Sequence, residues 1–204
     1  HKVTELKGII SPPPDKSISH RALLFSALAM GKSTIVNLLH SEDVLNMVKA
    51  LKALGVNIIK RSNIYYVIGV GLNGFSTPSK HIDCGNSGTL ARILLGAIGG
   101  SEILATFVGD SSLSSRPMDR VINPLKKMGI SFDSINNKLP LIVRGASDIL
   151  PIKYISPISS AQVKTTVLLA GLNSKGTSEI IEPYSSRNHS ENLLKHYGAD
   201  IKYD

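Results

Sequence analysis

The sequence predicts an α/β domain of three β-α-β-α-β-β units with pseudo-threefold symmetry, in which buried helices lie inside and sheets lie outside. Two observations predict this fold. Helix-like segments that close on a glycine recur at Gly55, Gly129 and Gly198, which are 74 and 69 residues apart. Each is preceded by a second helix-like segment that is apolar nearly all round, as expected of a helix buried on every side.

The closing helix of each unit is amphipathic. In the first, Val44, Met47 and Leu51 fall at helical spacing, with Lys49 and Lys52 on the other side. We therefore expect outer helices that end in a glycine cap. Their segments are DVLNMVKALKALGVNI (43–58), DRVINPLKKMGISF (119–132) and SENLLKHYGADI (190–201).

The opening helix of each unit lacks a polar face after its first turn, which predicts that it is buried. The segments are RALLFSALAMG (21–31), TLARILLGAIGG (89–100) and AQVKTTVLLAGLNSKG (161–176).

Short runs rich in β-branched residues surround these helices and predict strands. Residues 71–80 and 145–151 contain turn-forming residues and predict linkers, so the units span about 12–74, 75–148 and 149–204. The third unit stops six residues after Gly198, which predicts that its closing strand is missing. The predicted strands are 4–10, 33–37, 56–60, 64–69, 81–85, 102–109, 130–134, 139–145, 152–156 and 177–182.

Composition indicates a soluble globular protein. With 204 residues, of which 42% are hydrophobic, the chain can bury a full core. It has no apolar run of about 18 residues, as a membrane span needs, and its first residues lack a signal-peptide layout. The single cysteine, Cys84, is expected to be an inert buried thiol and suits a reducing cytosol, so we expect a cytoplasmic protein.

The formal charge of +8 points to small anionic ligands rather than nucleic acid. The lysines and arginines are scattered, and only 5% of residues are aromatic. If the units are related by rotation, the N-termini of the buried helices meet at one end of the domain. There their free N–H groups and partial positive charges attract anions.

Cations and hydroxyls are concentrated at these helix starts, more than capping alone requires. Arginine offers a two-pronged donor for phosphate or carboxylate, and lysine a compact charge. Gly88 would let backbone N–H groups approach a ligand. Two further arginines, Arg116 and Arg187, lie in serine-rich loops that open outer helices. The helix-start residues are Lys16, Ser17, Ser19, His20 and Arg21; Asn86, Ser87, Gly88, Thr89 and Arg92; and Ser159, Ser160, Gln162 and Lys164.

The GKST stretch at residues 31–34 is not a nucleotide-binding P-loop. A Walker motif needs a glycine at the position of Ser26 and a helix after the lysine, whereas an apolar helix precedes this lysine and a strand candidate follows. We expect Gly31 to cap the buried helix and Lys32 to be a turn residue.

No metal or cofactor is expected. His20, His81 and His189 have no metal-ligand spacing with one another or with Cys84. Asp110 is expected to cap a turn.

Five motifs occur in order along residues 12–200: DKSISHRALLFSALAMGKSTIVN, GNSGTLARILLG, GDSSLSSRPMDRVINPLKKMG, SSAQVKTTVLLAGL and SRNHSENLL. Together they resemble those of 5-enolpyruvylshikimate-3-phosphate synthases. The resemblance implies the enolpyruvyl transferase fold, of which this chain would be the N-terminal half; residues 1–11 would belong to the second domain, absent here.

The resemblance implies transfer of the carboxyvinyl group of phosphoenolpyruvate to the 5-hydroxyl of shikimate 3-phosphate, releasing phosphate without a metal. Lys16 would face both ligands and shuttle a proton. Phosphoenolpyruvate would be bound by Lys16, Gly88, Arg116 and Gln162. Shikimate 3-phosphate would be bound by Lys16, Ser17, Arg21, Ser160, Ala161, Gln162 and Arg187.

The resemblance also implies what this polypeptide would lack. The acidic base and further cations would come from the second domain, so this part alone is expected to be inactive. The intact enzyme is expected to be a transferase and a monomer. Gly88 would leave room for glyphosate, and Asn188 departs from the aspartate common in the family. The alternatives are the related UDP-N-acetylglucosamine enolpyruvyl transferase and a non-catalytic anion-binding module.

Overall fold

The computed structural model describes residues 7–203, which form seven α-helices and nine strands. The helices are α1 (Lys16–Leu28), α2 (Glu42–Ala53), α3 (Gly88–Ile98), α4 (Ser111–Ser115), α5 (Asp119–Lys127), α6 (Ala161–Gly171) and α7 (His189–His196). The strands are β1 (Met30–Val36), β2 (Asn57–Arg61), β3 (Ile64–Val70), β4 (Ile82–Asp83), β5 (Leu104–Val108), β6 (Ser131–Ser134), β7 (Leu141–Arg144), β8 (Lys153–Ile155) and β9 (Glu179–Ile181).

Each unit builds its own sheet. The orders are β1-β3-β2, β4-β5-β7-β6 and β8-β9. The strand after the buried helix pairs antiparallel with the last strand of its unit in the first two sheets, and parallel with the preceding strand in the second and third. Each sheet therefore contains strand pairings that recur in another sheet, which agrees with the predicted repeat.

The helices α1, α3 and α6 form the centre of the domain. Leu23, Leu94 and Leu169 are each 0–1% exposed, as are most of their neighbours on these helices. The sheets contribute alternate residues to the same core, such as Val67 and Phe107, both fully buried. Helices inside and sheets outside are what the apolar segments predicted.

The helices α3 and α6 approach so closely that a side chain would not fit between them. A Cβ atom at Gly96 would lie 2.2 Å from the backbone oxygen of Thr166. The Thr166 hydroxyl also donates to the backbone oxygen of Arg92 at 3.0 Å. This contact fixes the relative position of the two helix starts.

The outer helices α2, α5 and α7 end in the same glycine motif. Gly55, Gly129 and Gly198 have φ values of +92°, +97° and +88°. In each case the glycine N–H and the following N–H bond back to carbonyls of the last turn, as in a Schellman motif. Glycine therefore recurs at these three positions because the backbone there adopts a positive φ, which glycine tolerates best.

The structure corrects the expectation for Gly31 and Lys32. The helix α1 ends at Leu28, and its cap is Ala29. Gly31 and Lys32 both lie in β1. Lys32 is thus a strand residue, with its ammonium 4.5 Å from the centre of the Tyr66 ring. The chain becomes extended at Ala29, two residues before Gly31, so the glycine is not needed to end the helix.

Two other differences concern short elements. The first predicted strand, residues 4–10, lies partly outside the described residues, and residues 7–10 form no strand. The short helix α4 was not predicted; Asp110 caps it by accepting a hydrogen bond from the Leu113 N–H at 2.7 Å. Within residues 7–203, no helix combines the length and apolar character that crossing a membrane would demand.

Candidate functional site

The starts of α1, α3 and α6 converge, and a side chain caps each one. The Asp15 carboxylate accepts from the Ile18 N–H at 2.7 Å. Ser87 and Ser160 cap α3 and α6 through their hydroxyls. Their remaining N–H groups therefore lie at one end of the domain, where helix dipoles favour an anion.

Arg21 connects α1 to α6 and α7. Its side chain donates to the Ser190 hydroxyl at 2.6 Å, to the Thr165 hydroxyl at 2.8 Å and to the Ala161 carbonyl at 3.3 Å. It also donates to the hydroxyl and carbonyl of Ser17. These five acceptors match the five N–H bonds of a guanidinium, and the residue is 1% exposed.

Burial and the neighbouring Arg187 lower the pKa of Arg21 to about 10, so it remains charged at neutral pH. The structure therefore places a buried cation directly beneath Ser17 and Ala161, two residues predicted to bind shikimate 3-phosphate.

His20 and Gln162 complete the connections among the three helices. The Nε2 atom of His20 lies 3.4 Å from the Ser87 hydroxyl and joins α1 to α3. Gln162 accepts from Arg92 at 3.1 Å and donates to Thr89 at 3.0 Å, which joins α6 to α3. Each pair of buried helices is thus connected near its N-terminal end.

Gly88 lies beneath two arginines. A Cβ atom there would be 2.6 Å from a terminal nitrogen of Arg92 and 3.5 Å from one of Arg116. Burial lowers the pKa of Arg92, and the charges of Arg116 and Arg120 lower it further. The absent side chain leaves room for these cations above the start of α3.

Asn86 orients Arg116. Its side-chain oxygen accepts from Arg116 at 2.7 Å, and its nitrogen donates to Asp110 at 2.7 Å. The Leu113 N–H and the Asn86 amide both lower the pKa of Asp110, which keeps this carboxylate ionised. Asp110 caps α4, as expected of a turn residue, and also fixes which way the Asn86 amide points.

Lys16 forms an ion pair with Asp43, at the start of α2, with 2.8 Å between nitrogen and oxygen. The Lys16 side chain is 55% exposed, so the pair is open to solvent and to ligands. Such exposed pairs contribute little to stability. Asp43 therefore positions the Lys16 ammonium at the exposed edge of the site, in an ion pair that a ligand can replace at little cost in stability.

The third helix start has acidic neighbours that the sequence did not reveal. Lys164 is paired with Glu182 at 3.0 Å and with Glu191 at 2.6 Å. Its charge is thus neutralised within the protein. Arg187 is exposed and near enough to Arg21 to lower its pKa.

Sequence reasoning missed the partners that orient the predicted residues. These are Asp43, Thr165, Glu182, Ser190 and Glu191. An acidic residue near the start of an outer helix, such as Asp43 or Glu191, has the usual sequence signature of a solvated helix end. No signal in the sequence separates that role from pairing with a site cation.

Cys84 is fully buried, and burial raises the pKa of its thiol, which confirms the expected inert cysteine. Between residues 7 and 203, no three His, Cys, Asp or Glu side chains group closely enough to hold a metal ion.

Comparison with known proteins identifies the family. The protein-family model of EPSP synthase, 3-phosphoshikimate 1-carboxyvinyltransferase, matches residues 1–204. A protein of that name from Nitrobacter hamburgensis is 49% identical over 207 residues, which cover 98% of this chain and 46% of the relative. One from Novosphingobium aromaticivorans is 48% identical over 201 residues, with the same coverage.

A solved structure, EPSP synthase from Acinetobacter baumannii, superposes with a TM-score of 0.92 at 36% identity. It covers 97% of this chain, and this chain covers 45% of it. Fold and helix-end site together define a domain of the enolpyruvyl transferase fold. The chain belongs to the EPSP synthase family, and it spans about half the length of the relatives it matches.

Proposed function

We propose that the chain is the part of a 3-phosphoshikimate 1-carboxyvinyltransferase that holds shikimate 3-phosphate and contributes part of the phosphoenolpyruvate site. The observation that carries the proposal is the convergence of three connected helix starts, with Lys16, Arg116 and Arg187 around them. Family membership supports the choice of these two anions.

Shikimate 3-phosphate is proposed to lie across the starts of α1 and α6. Lys16 and Arg187 supply charge from the exposed side. Arg21 joins by giving up one of its bonds to Ser17 or Ala161. The binding set is Lys16, Ser17, Arg21, Ser160, Ala161, Gln162 and Arg187.

Phosphoenolpyruvate is proposed to lie over Gly88, where Arg116 supplies a guanidinium oriented by Asn86. Lys16 and Gln162 are within reach of both ligands in this arrangement. The 5-hydroxyl then gives its proton to the acidic base that the second domain is proposed to supply, and its oxygen bonds to C2 of phosphoenolpyruvate while C3 gains a proton from the Lys16 ammonium. In the second step the Lys16 amine takes a proton back from the new methyl group at C3, the C2–O bond to phosphate breaks, and phosphate leaves as the double bond re-forms.

The whole reaction is proposed for the complete enzyme rather than for these 204 residues, because the chain spans 46% of its relatives. The remaining proposals are that the complete enzyme is a cytoplasmic monomer without a metal or cofactor, and that glyphosate binds against the arginines beside Gly88.

The test is calorimetric titration of the 204-residue chain with shikimate 3-phosphate. Shikimate, phosphoenolpyruvate, ATP with Mg²⁺, and a short RNA are the comparison ligands. We expect shikimate 3-phosphate to bind at least tenfold more tightly than shikimate, because the phosphate meets the cations, and phosphoenolpyruvate to bind only weakly. The proposal would be overturned if the chain bound ATP or RNA but did not bind shikimate 3-phosphate.

A further inference from the structure

A buried ionic group lies behind the start of α6. We call Lys164, Glu182 and Glu191 the acid-lysine cluster. Their side chains are 10%, 8% and 6% exposed, and the ammonium is 3.0 Å from Glu182 and 2.6 Å from Glu191. Two carboxylates against one ammonium give the cluster a net charge of −1.

Neutralising Lys164 does not require both acids. Glu191 forms the shorter pair with Lys164, so Glu182 adds a second buried negative charge where one would suffice. Burying a carboxylate costs free energy that one ion pair seldom offsets. The position of Glu182 therefore needs another explanation.

The other contacts of Glu182 supply that explanation. One carboxylate oxygen accepts from the Ser160 backbone N–H at 2.7 Å, and the other accepts from the Ser186 hydroxyl at 2.6 Å. Ser160 caps α6, and Ser186 precedes Arg187. One side chain thus connects the helix cap to the loop that carries the exposed arginine.

The surrounding charges keep this carboxylate ionised. Burial alone would raise the pKa of Glu182, but the hydrogen bonds from Ser186 and Ser160, together with Lys164, lower it below its usual value. At neutral pH the side chain is therefore ionised, and each of its oxygens accepts a hydrogen bond from one of these two serines.

We propose that Glu182 is a positioning residue for anion binding: its carboxylate holds the Ser160 cap and the Ser186–Arg187 segment in register with each other. The inference rests on the proposed function, since shikimate 3-phosphate is the anion. It adds a residue that touches no ligand and acts through Ser160 and Arg187.

The experiment compares Glu182→Ala, Glu182→Gln and the control Glu179→Ala by calorimetry with shikimate 3-phosphate. Glutamine carries no charge but keeps an oxygen that can accept from the Ser160 N–H. Its NH2 group replaces the oxygen that faces Ser186 and Lys164, so the Ser186 hydroxyl has to turn and accept instead of donating. Glu179 begins β9, the strand that ends just before Glu182, and it also pairs with a lysine, Lys153, but its side chain is 52% exposed. In Glu182→Ala the pair of Lys164 and Glu191 remains, so the cluster becomes neutral and the fold is expected to survive.

We expect Glu182→Ala to weaken binding at least tenfold, Glu182→Gln to remain within about threefold of the parent chain, and Glu179→Ala to change nothing. The Ser160 amide proton should move upfield in the NMR spectrum of Glu182→Ala and stay near its original position in Glu182→Gln. Rescue by glutamine separates hydrogen-bonded positioning from a general loss of charge or stability.

Each other outcome is decisive. If the parent chain binds and Glu182→Ala binds equally well, positioning is wrong while the proposed function stands. If alanine and glutamine weaken binding equally, keeping the hydrogen bond to the Ser160 N–H does not preserve binding, and positioning of that cap by Glu182 is wrong. If the parent chain does not bind shikimate 3-phosphate, the proposed function fails and the inference fails with it.

Discussion

Two buried residues on α1, His20 and Arg21, show how single side chains join the helices. Arg21 satisfies all five of its N–H groups on α1, α6 and α7, so its charge is stabilised by geometry rather than by a carboxylate in direct contact. His20 is fully buried beside Ser87. Burial, opposed by Asp43 and assisted by Lys16 and Arg21, lowers the pKa of His20 to about 4.

The depressed pKa of His20 predicts acid sensitivity. Between pH 6.5 and about 4 the unfolded chain takes up a proton at His20 that the folded chain does not. Stability is therefore complete above pH 6.5 and falls as the pH decreases, by up to about 1.4 kcal/mol per pH unit. Urea unfolding at pH 7.5 and 5.5 should show this loss, and His20→Gln should reduce it.

The matched control for that measurement is His81→Gln, because His81 is exposed and should leave the pH dependence unchanged. An equal loss of stability in the parent chain and His20→Gln would show that another group is responsible.

Sequence patterns revealed the donors of the site better than its acceptors. Lys16, Arg116 and Arg187 stood out because cations and hydroxyls at a helix start exceed what capping needs. Glu182 did not, because it follows a short strand and its partners, Ser160 and Ser186, are 22 and 4 residues away. Only tertiary packing brings these three together.

At the scale of elements, the outer helices were the most predictable part. Their period and terminal glycines gave the helices to within a few residues, and the left-handed glycines satisfy carbonyls that would otherwise lack partners. The helix α4 escaped prediction because its sequence, SSLSS, has low intrinsic helix preference and depends on the Asp110 cap.

The glycine motif can be tested at Gly129. A Cβ atom there would meet only the Asp148 backbone oxygen, at an ordinary 3.6 Å, so the cost of Gly129→Ala comes from its φ of +97°. We expect a loss of about 1–2 kcal/mol in the free energy of unfolding, measured by urea denaturation.

Gly129→Asn is the control, since asparagine tolerates left-handed backbone better, and it should recover part of the loss. An alanine variant as stable as the parent would mean that the backbone relaxes there without cost.

At the scale of the whole molecule, the three units are joined through buried helices. Among residues 7–203, no strand pairs with a strand of another unit. The apolar segments predicted three buried helices, and the repeat predicted their shared direction. The distances between them could not be predicted, because they depend on close contacts such as that of Gly96 with Thr166.

The variant Gly96→Ala should therefore disturb both stability and binding. The new methyl group would lie 2.2 Å from the Thr166 backbone oxygen, which cannot move aside as a flexible side chain would. We expect a loss of about 1–3 kcal/mol or more from overpacking. Because α3 would move relative to α6, affinity for shikimate 3-phosphate should also fall.

Thermal unfolding and calorimetry would measure these two effects. Gly8→Ala is the control, since nothing lies within 4 Å of its added methyl group. A fully stable Gly96→Ala variant with unchanged affinity would show that the two helices can separate freely.

The confinement of each sheet to one unit has a consequence for how the chain folds. Paired residues of β1 and β3, such as Met30 and Val70, lie up to 40 residues apart, so each sheet closes shorter loops than helix docking does, at a lower entropic cost. The docking of α1, α3 and α6 brings together residues as far apart as Arg21 and Ser190. We therefore expect local sheets to form early and the anion site to be assembled last, when the helices dock.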